Sequence, residues 1–364
     1  MKTRNHAFDI LKILSAFAVI IIHVSAIFLR ESGHDLEPVA MALNTIARFA
    51  VPVFVMISGA LFIKTKADLP LKVILKKYVL RLTLIYVGTL ALYFILYSIF
   101  PIREGWFGGL SHVVESTKSL AYQLWFIPML AGLYILTPFL KHFKERKHFM
   151  PVLVFVVIVS IFFFCQQTIS LFFQLGDFKI LYPVRDLISV AQSFLPAISL
   201  WVGLYLMGYY LTEYSLALRH RRFIYICSAA LLVINISLSF IFSLKGLRVD
   251  TVDVIHDPLN IVSILLSFSL ILLAMHNRYI PKLSQRAKSI IVTLSGFTLG
   301  VFLIHILFMD LLFRQTLPWF LEQPTGIWTI LISIGLFIIS LCATFIYYAV
   351  INLAKKILKP NRTT

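Results

Sequence analysis

Apolar stretches of about 20 residues recur along the whole chain, broken by short charged runs, and each is long enough to cross a bilayer core of roughly 30 Å. They predict spans near 7–29, 39–63, 78–100, 120–140, 150–173, 188–211, 222–244, 258–277, 289–313 and 326–353. The expected fold is an all-α integral membrane bundle of about ten transmembrane helices, with residues 1–355 as one membrane domain and 356–364 as a short basic cytosolic tail. Several stretches exceed a minimal span, which predicts tilt or interfacial ends. The longer outer connections fall at 101–119 and 245–257. Gly105, Trp106, Phe107, Gly108 and Gly109 in the first suit either a loop folded over an outer pocket or an interfacial aromatic anchor. No internal repeat is evident, unlike the inverted repeats of many secondary transporters.

The polar residues that interrupt these spans carry most of the information. In FDILKILSAFAVIIIHVSAIF, Lys12 and His23 are eleven positions apart, within about 20° of three full turns at ~100° per residue. They share one helix face about 16 Å apart along the axis, with Asp9 one turn before Lys12 on the same stripe. Ionisable side chains at such depth are costly and usually line a site or a path. His23 lies roughly 24 Å from the inner boundary, and His305, in TLSGFTLGVFLIHILFMDLL, lies at almost the same depth. Thr298 is seven residues before His305, on nearly the same face. Either histidine suits proton transfer near neutral pH, or a neutral hydrogen bond between helices. Arg48, about 14 Å into the second span, requires carboxylates, carbonyls, water or an anionic ligand; Asp9 and Asp310 are candidate partners, and Asn44 sits one turn outward.

At the start of the third span, Lys77 and Arg81 are four apart and, with Lys76, would clamp phosphates or simply anchor topology. In the fourth, Pro128 and Pro138 are candidate helix breakers. Gln123 and Trp125 near the outer face suit a sugar-like ligand or interfacial anchoring, and Gln192 and Pro196 invite the same reading.

Composition agrees with a membrane protein: 60% hydrophobic, 13% charged, mean hydropathy +0.91. The net charge of +17 gathers on alternate loops, at Lys64–Arg81, Lys141–Lys147, Arg219–Arg222 and Arg278–Lys288, as positive-inside placement demands. Both termini are therefore expected in the cytosol, and nucleic acid is not an expected partner. Cys165, Cys227 and Cys342 each fall within a span and imply neither disulfide nor metal site. No GxSxG elbow, P-loop, dinucleotide fingerprint or HExxH motif is present. Taken alone, the residues fit an enzyme or a carrier of a small metabolite, acyl donor or lipid-linked sugar.

The Lys12-x10-His23 pattern, with VPVFVMISGALF at 51–62, QLWFIPMLAGLYILTP at 123–138 and SGFTLGVFLIH at 295–305, resembles the acyltransferase-3 family of integral membrane acyltransferases in order and spacing. Relatives often carry Arg-x-x-Arg at the inner end of the third helix; here KKYVLR puts Tyr78 where the first arginine would fall. The resemblance implies transfer of an acetyl or succinyl group from cytosolic acyl-CoA, a substrate and not a bound cofactor, to a hydroxyl of a cell-surface polysaccharide or lipid-linked glycan. It implies His23 as general base or acyl carrier, Asp9 and Lys12 as its charged track, and Arg48 and His305 near the reacting carbonyl or acceptor. It further implies Arg81, Lys77 and Lys76 on CoA phosphate, and Gln123 and Trp125 on the acceptor, in a multi-pass protein of the cell membrane with no metal.

Overall fold

The structure, a computed structural model, describes residues 4–31, 38–65, 70–99, 122–175, 197–244, 259–322 and 325–358. All regular structure among them is helical. The helices are α1 (His6–Glu31), α2 (Pro38–Ala47), α3 (Ala50–Lys64), α4 (Leu71–Ile74), a π-turn (Leu75–Val79) and α5 (Leu80–Ile99). A 3₁₀ turn (Tyr122–Trp125) then leads into α6 (Phe126–Leu140), followed by α7 (Phe149–Leu175), α8 (Ala197–Glu213) and α9 (Leu218–Leu244). The series closes with α10 (Ile261–Met275), α11 (Gln285–Leu321) and α12 (Thr325–Leu358). Seven helical segments among the described residues are long and apolar enough to cross a membrane, and Ile261–Met275 is a shorter apolar helix. An exposed surface of Leu84, Val87, Ile226, Val233 and Phe345 is what lipid-facing helices require. The protein is a multi-pass membrane protein, as a cell-membrane location requires.

The second predicted span is one apolar stretch, Pro38–Lys64, but its helix breaks at Arg48–Phe49. Pro52 is the cause: it has no N–H to offer the carbonyl of Arg48 four residues back, and its ring crowds that carbonyl. Pro128 holds the corresponding third position of α6, where the chain passes from the 3₁₀ turn Tyr122–Trp125 into regular helix, whereas Pro138 lies inside α6, which ends two residues later. The ninth predicted span is longer than expected, since α11 runs for 37 residues, about 55 Å at 1.5 Å each.

Helix α1 packs against α2, α3, α11 and α12, and the closest pairing elsewhere is α3 on α8. There a Cβ added at Gly59 would overlap the carbonyl oxygen of Tyr205, and one added at Gly208 would overlap that of Met56. Small residues permit this approach, which van der Waals packing rewards in lipid. One core cluster gathers Val53, Met56, Leu133, Leu204 and Tyr205 around α3, α6, α8 and α10; a second joins Ile20, Val24, Tyr93, Val301 and Ile306 around α1 and α11. Cys227 is half-buried and Cys342 exposed, both as free thiols. The loops 101–119 and 245–257, with Gln192 and Pro196, lie outside the described residues, as does the side chain of Cys165.

Candidate active site

Helices α1 and α11 touch at two levels. Near their N-terminal ends Ser295 Oγ donates to Asp9 Oδ1 at 2.7 Å. Farther along, the rings of His23 and His305 meet with centroids 5.2 Å apart and planes inclined by 32°. The equal depths expected from helical rise thus become a side-by-side pair of imidazoles.

Hydrogen-bond geometry fixes the proton on His305. Its Nδ1 lies 2.8 Å from the carbonyl of Phe302 and 3.1 Å from that of Val301. Carbonyls only accept, so Nδ1 carries the hydrogen, and Nε2 is left as the acceptor of the neutral ring. The residue is fully buried, and Nε2 has no hydrogen-bond partner. His23, half-buried, is the more reachable of the two rings.

A residue absent from the sequence-level candidates braces this turn. Tyr93 of α5 donates its hydroxyl to Leu303 O at 2.9 Å and accepts from Leu307 N at 3.2 Å, thereby gripping α11 two residues to either side of His305. Gln123 Nε2 in turn donates to the Tyr93 hydroxyl at 2.9 Å, and Gln123 Oε1 is buried without a partner. A tyrosine in the middle of an apolar span was the available signal, since a buried phenol needs a polar partner. Trp125 leans on Trp201 at 5.8 Å and on Phe126, which reaches Phe302 at 5.4 Å; Phe302 in turn lies 6.1 Å from His305. Gln123 and Trp125 are therefore joined to the histidine turn through Tyr93 and through a chain of aromatic rings.

Arg48 stands at the break between α2 and α3. Its Nε donates to Asn44 Oδ1 at 2.8 Å, while Asn44 Nδ2 donates to Ile22 O at 3.0 Å and to Ser25 Oγ at 2.8 Å. The buried amide couples the guanidinium to the turn of α1 that bears His23. Asp9 is not the partner of Arg48. Arg4 Nε and Nη2 each bond its carboxylate at 2.8 Å, Ser295 supplies a third donor, and His6 Nδ1 is 3.7 Å away. Lys12 interacts electrostatically with Asp9 and Arg4. Asp9 and Lys12 thus form a polar group at the N-terminal end of α1, separated from His23 by the ~16 Å of helix expected from their spacing.

Lys76, Lys77 and Arg81 are exposed; the two lysines belong to a π-turn, not to the regular helix expected from sequence, and Arg81 stands in the first turn of α5 just beyond it. Leu80 N donates to Leu75 O, five residues back. In an α-helix Lys76 and Arg81 would diverge by about 140°. The i→i+5 register of the π-turn narrows that divergence. The Tyr78 ring lies 4.9 Å from Phe62 and 6.3 Å from Tyr134, with Lys77 Nζ 5.5 Å from its centroid.

No cluster of three metal-ligating side chains occurs among the described residues. The sequence matches the family described as "Acyltransferase domain" (Acyl_transf_3) over residues 5–349, which include every candidate site residue. The chain belongs to the acyltransferase-3 family. No curated protein and no solved structure matches it. Family membership gives this acyltransferase-3 chain a membrane acyltransferase function, and acyl-CoA dependence at the same general level.

Proposed function

We propose that the protein transfers an acetyl or succinyl group from cytosolic acyl-CoA to a hydroxyl of an extracytoplasmic polysaccharide or lipid-linked glycan, at the His23–His305 pair. The observation that carries this reading is the ring contact of the two histidines, with a buried His305 Nε2 lacking a partner. The bundle is read as ten spans with both termini cytosolic, because its basic loops then all face inward.

In the proposed reaction, one nitrogen of His23 takes the proton of the acceptor hydroxyl, and a small tilt of its ring on substrate binding lets the other donate to the unpartnered His305 Nε2. This is the arrangement of a base held by an orienting group, with His305 as the positioning residue. The acceptor oxygen attacks the thioester carbonyl, and the C–S bond breaks. The proton passes from His23 to the departing CoA sulfur, so one ester forms, one thioester is lost and the histidine is regenerated. Arg48 supplies positive charge for the oxyanion. Gln123 Oε1 accepts a hydrogen bond from the sugar, and Trp125 gives it an apolar face. Asp9 and Lys12 hold the inner end of α1.

Lys76, Lys77 and Arg81 contact the CoA diphosphate. Because the π-turn narrows the angle between Lys76 and Arg81, Lys76→Gln is expected to weaken CoA binding about as much as Lys77→Gln, roughly fivefold for an exposed contact. A silent Lys76→Gln beside a weakened Lys77→Gln would show that only the i,i+4 pair serves, which titration of CoA onto purified variants measures.

The function is tested in proteoliposomes given labelled acetyl- or succinyl-CoA and a candidate glycan, with mass spectrometry of the product. A stable acylated sugar is the expected outcome. Passage of intact substrate across the bilayer with no acylated product would make the protein a carrier instead.

A further inference from the structure

The segment after α6, residues 141–148, reads KHFKERKH and holds a single acid, Glu145, which pairs with Lys147 at 2.9 Å. Positive-inside placement asks only that such a loop be charged. It does not ask that the loop be fixed, yet this one is pinned at several points. Tyr210, fully buried on α8, donates its hydroxyl to the carbonyl of Phe143. Tyr214, just beyond α8, donates to Lys144 O at 2.8 Å. Lys141 Nζ donates to Thr65 O at 3.2 Å, and the Arg146 guanidinium lies over the Tyr214 ring at 5.9 Å. The rings of Phe143 and His148 pack at 5.5 Å. Two tyrosine hydroxyls and a lysine thus hold the backbone beneath Lys144, Arg146 and Lys147, which is a preorganised cationic platform and not a loose charged loop.

Its location says what such a platform would meet. Thr65, which Lys141 grips, closes α3 less than one turn beyond Phe62, and the Phe62 ring stacks on Tyr134 at 4.3 Å and meets Tyr78 at 4.9 Å. Tyr78 belongs to the π-turn that carries Lys76 and Lys77 and leads into Arg81 of α5. Two separate sets of cations therefore stand beside one aromatic floor of Phe62, Tyr78 and Tyr134. Coenzyme A carries two separate anionic groups on one ribose, the 5′-diphosphate and the 3′-phosphate, and a single set serves only one of them.

We propose that the 141–148 platform binds the 3′-phosphate of the donor, with Arg146 as a planar fork steadied on Tyr214 and Lys144 as a point charge. The assignment rests on the acyl-CoA reading above. It makes the 3′-phosphate a specificity determinant: acyl groups on pantetheine carriers lacking it are poor donors.

The test is direct binding of CoA and of dephospho-CoA to full-length protein in nanodiscs of neutral phosphatidylcholine. The wild type should prefer CoA by about ten- to hundredfold, the value of a charge-assisted phosphate contact. Lys144→Gln/Arg146→Gln should lose that preference by binding CoA more weakly while leaving dephospho-CoA affinity at the wild-type value. Tyr214→Phe, which keeps every charge and the ring beneath Arg146 but releases the Lys144 carbonyl, should lose part of the preference, a change that a purely topological role would not produce. Equal affinity of the wild type for both ligands, or an equal loss for both in the double variant, would overturn the proposal. So would an unchanged CoA preference in a double variant that has lost affinity for vesicles containing anionic lipid, which would make the platform a headgroup site. If the wild type binds neither nucleotide, the donor reading itself fails, and that outcome is distinct from the others.

Discussion

His23→Ala should lower acyl transfer by about 10²–10⁴-fold, the usual contribution of a positioned general base, while leaving the amount of folded protein unchanged. His23 is half-buried, so its truncation removes no fully enclosed contact. His305→Ala should fall less far, because the base remains and only its orientation is lost. The informative measurement is the double variant. If the two rings act as one unit, as the 5.2 Å contact and the fixed Nδ1–H of His305 indicate, His23→Ala/His305→Ala should be no slower than His23→Ala alone. Losses that multiply would mean the two histidines work independently. A second readout separates positioning from packing: His305→Gln retains an acceptor and should recover part of the rate, whereas His305→Leu, equally bulky, should not. Equal rates for the Gln and Leu variants would reduce His305 to a space-filling role.

How much of this was legible beforehand depended on how local each cause was. The helical membrane architecture followed from length and hydropathy alone, since a chain in lipid must satisfy its backbone internally. The equal depth of His23 and His305 followed from counting residues at a fixed rise, although nothing in the count says that α1 and α11 are neighbours. The break at Arg48 was present in the sequence as Pro52 four residues later, a strictly local signal. The partner of Asp9 is Arg4, five residues earlier and just outside the predicted span, where the apolar pattern gives no reason to place the other half of an ion pair.

Other features had no local cause. Tyr93, Gln123 and Leu303 are brought together from three distant segments, and the apolar string around Tyr93 does not say which carbonyl its hydroxyl will meet. The π-turn differs from an α-turn by one residue in hydrogen-bond register, which KKYVLR does not announce. The same is true of the tyrosines beneath Phe143 and Lys144, whose separation from their acceptors is 67 and 70 residues. Helical period and rise locate residues along and around one helix. They do not say which helix stands next to it, and the candidate site is mostly a matter of neighbours.

Gly208→Leu should leave little or no folded protein. The crossing of α3 and α8 is reciprocal: Gly59 faces the carbonyl three residues before Gly208, and Gly208 faces the carbonyl three residues before Gly59. Any side chain at either position must occupy the space of a backbone atom on the other helix. Neither helix has freedom to retreat. Tyr205 is fully buried and its hydroxyl is bonded to Thr137 Oγ1 at 2.9 Å, while Met56 is fully buried in the same core. Separating two helices in lipid forfeits van der Waals contact with little else to compensate, so the penalty should exceed the 4–5 kcal/mol that marks an exceptional single substitution. Gly208→Ala should already be harmful, since Cβ alone meets the Met56 carbonyl. Gly335 provides the contrast: a Cβ there meets nothing within 4 Å, so Gly335→Ala should be neutral or raise stability by up to about 1 kcal/mol through helix propensity. Size-exclusion chromatography in detergent followed by thermal unfolding distinguishes the three. A Gly208→Leu protein with wild-type elution and melting temperature would show that α3 and α8 do not pack backbone to backbone.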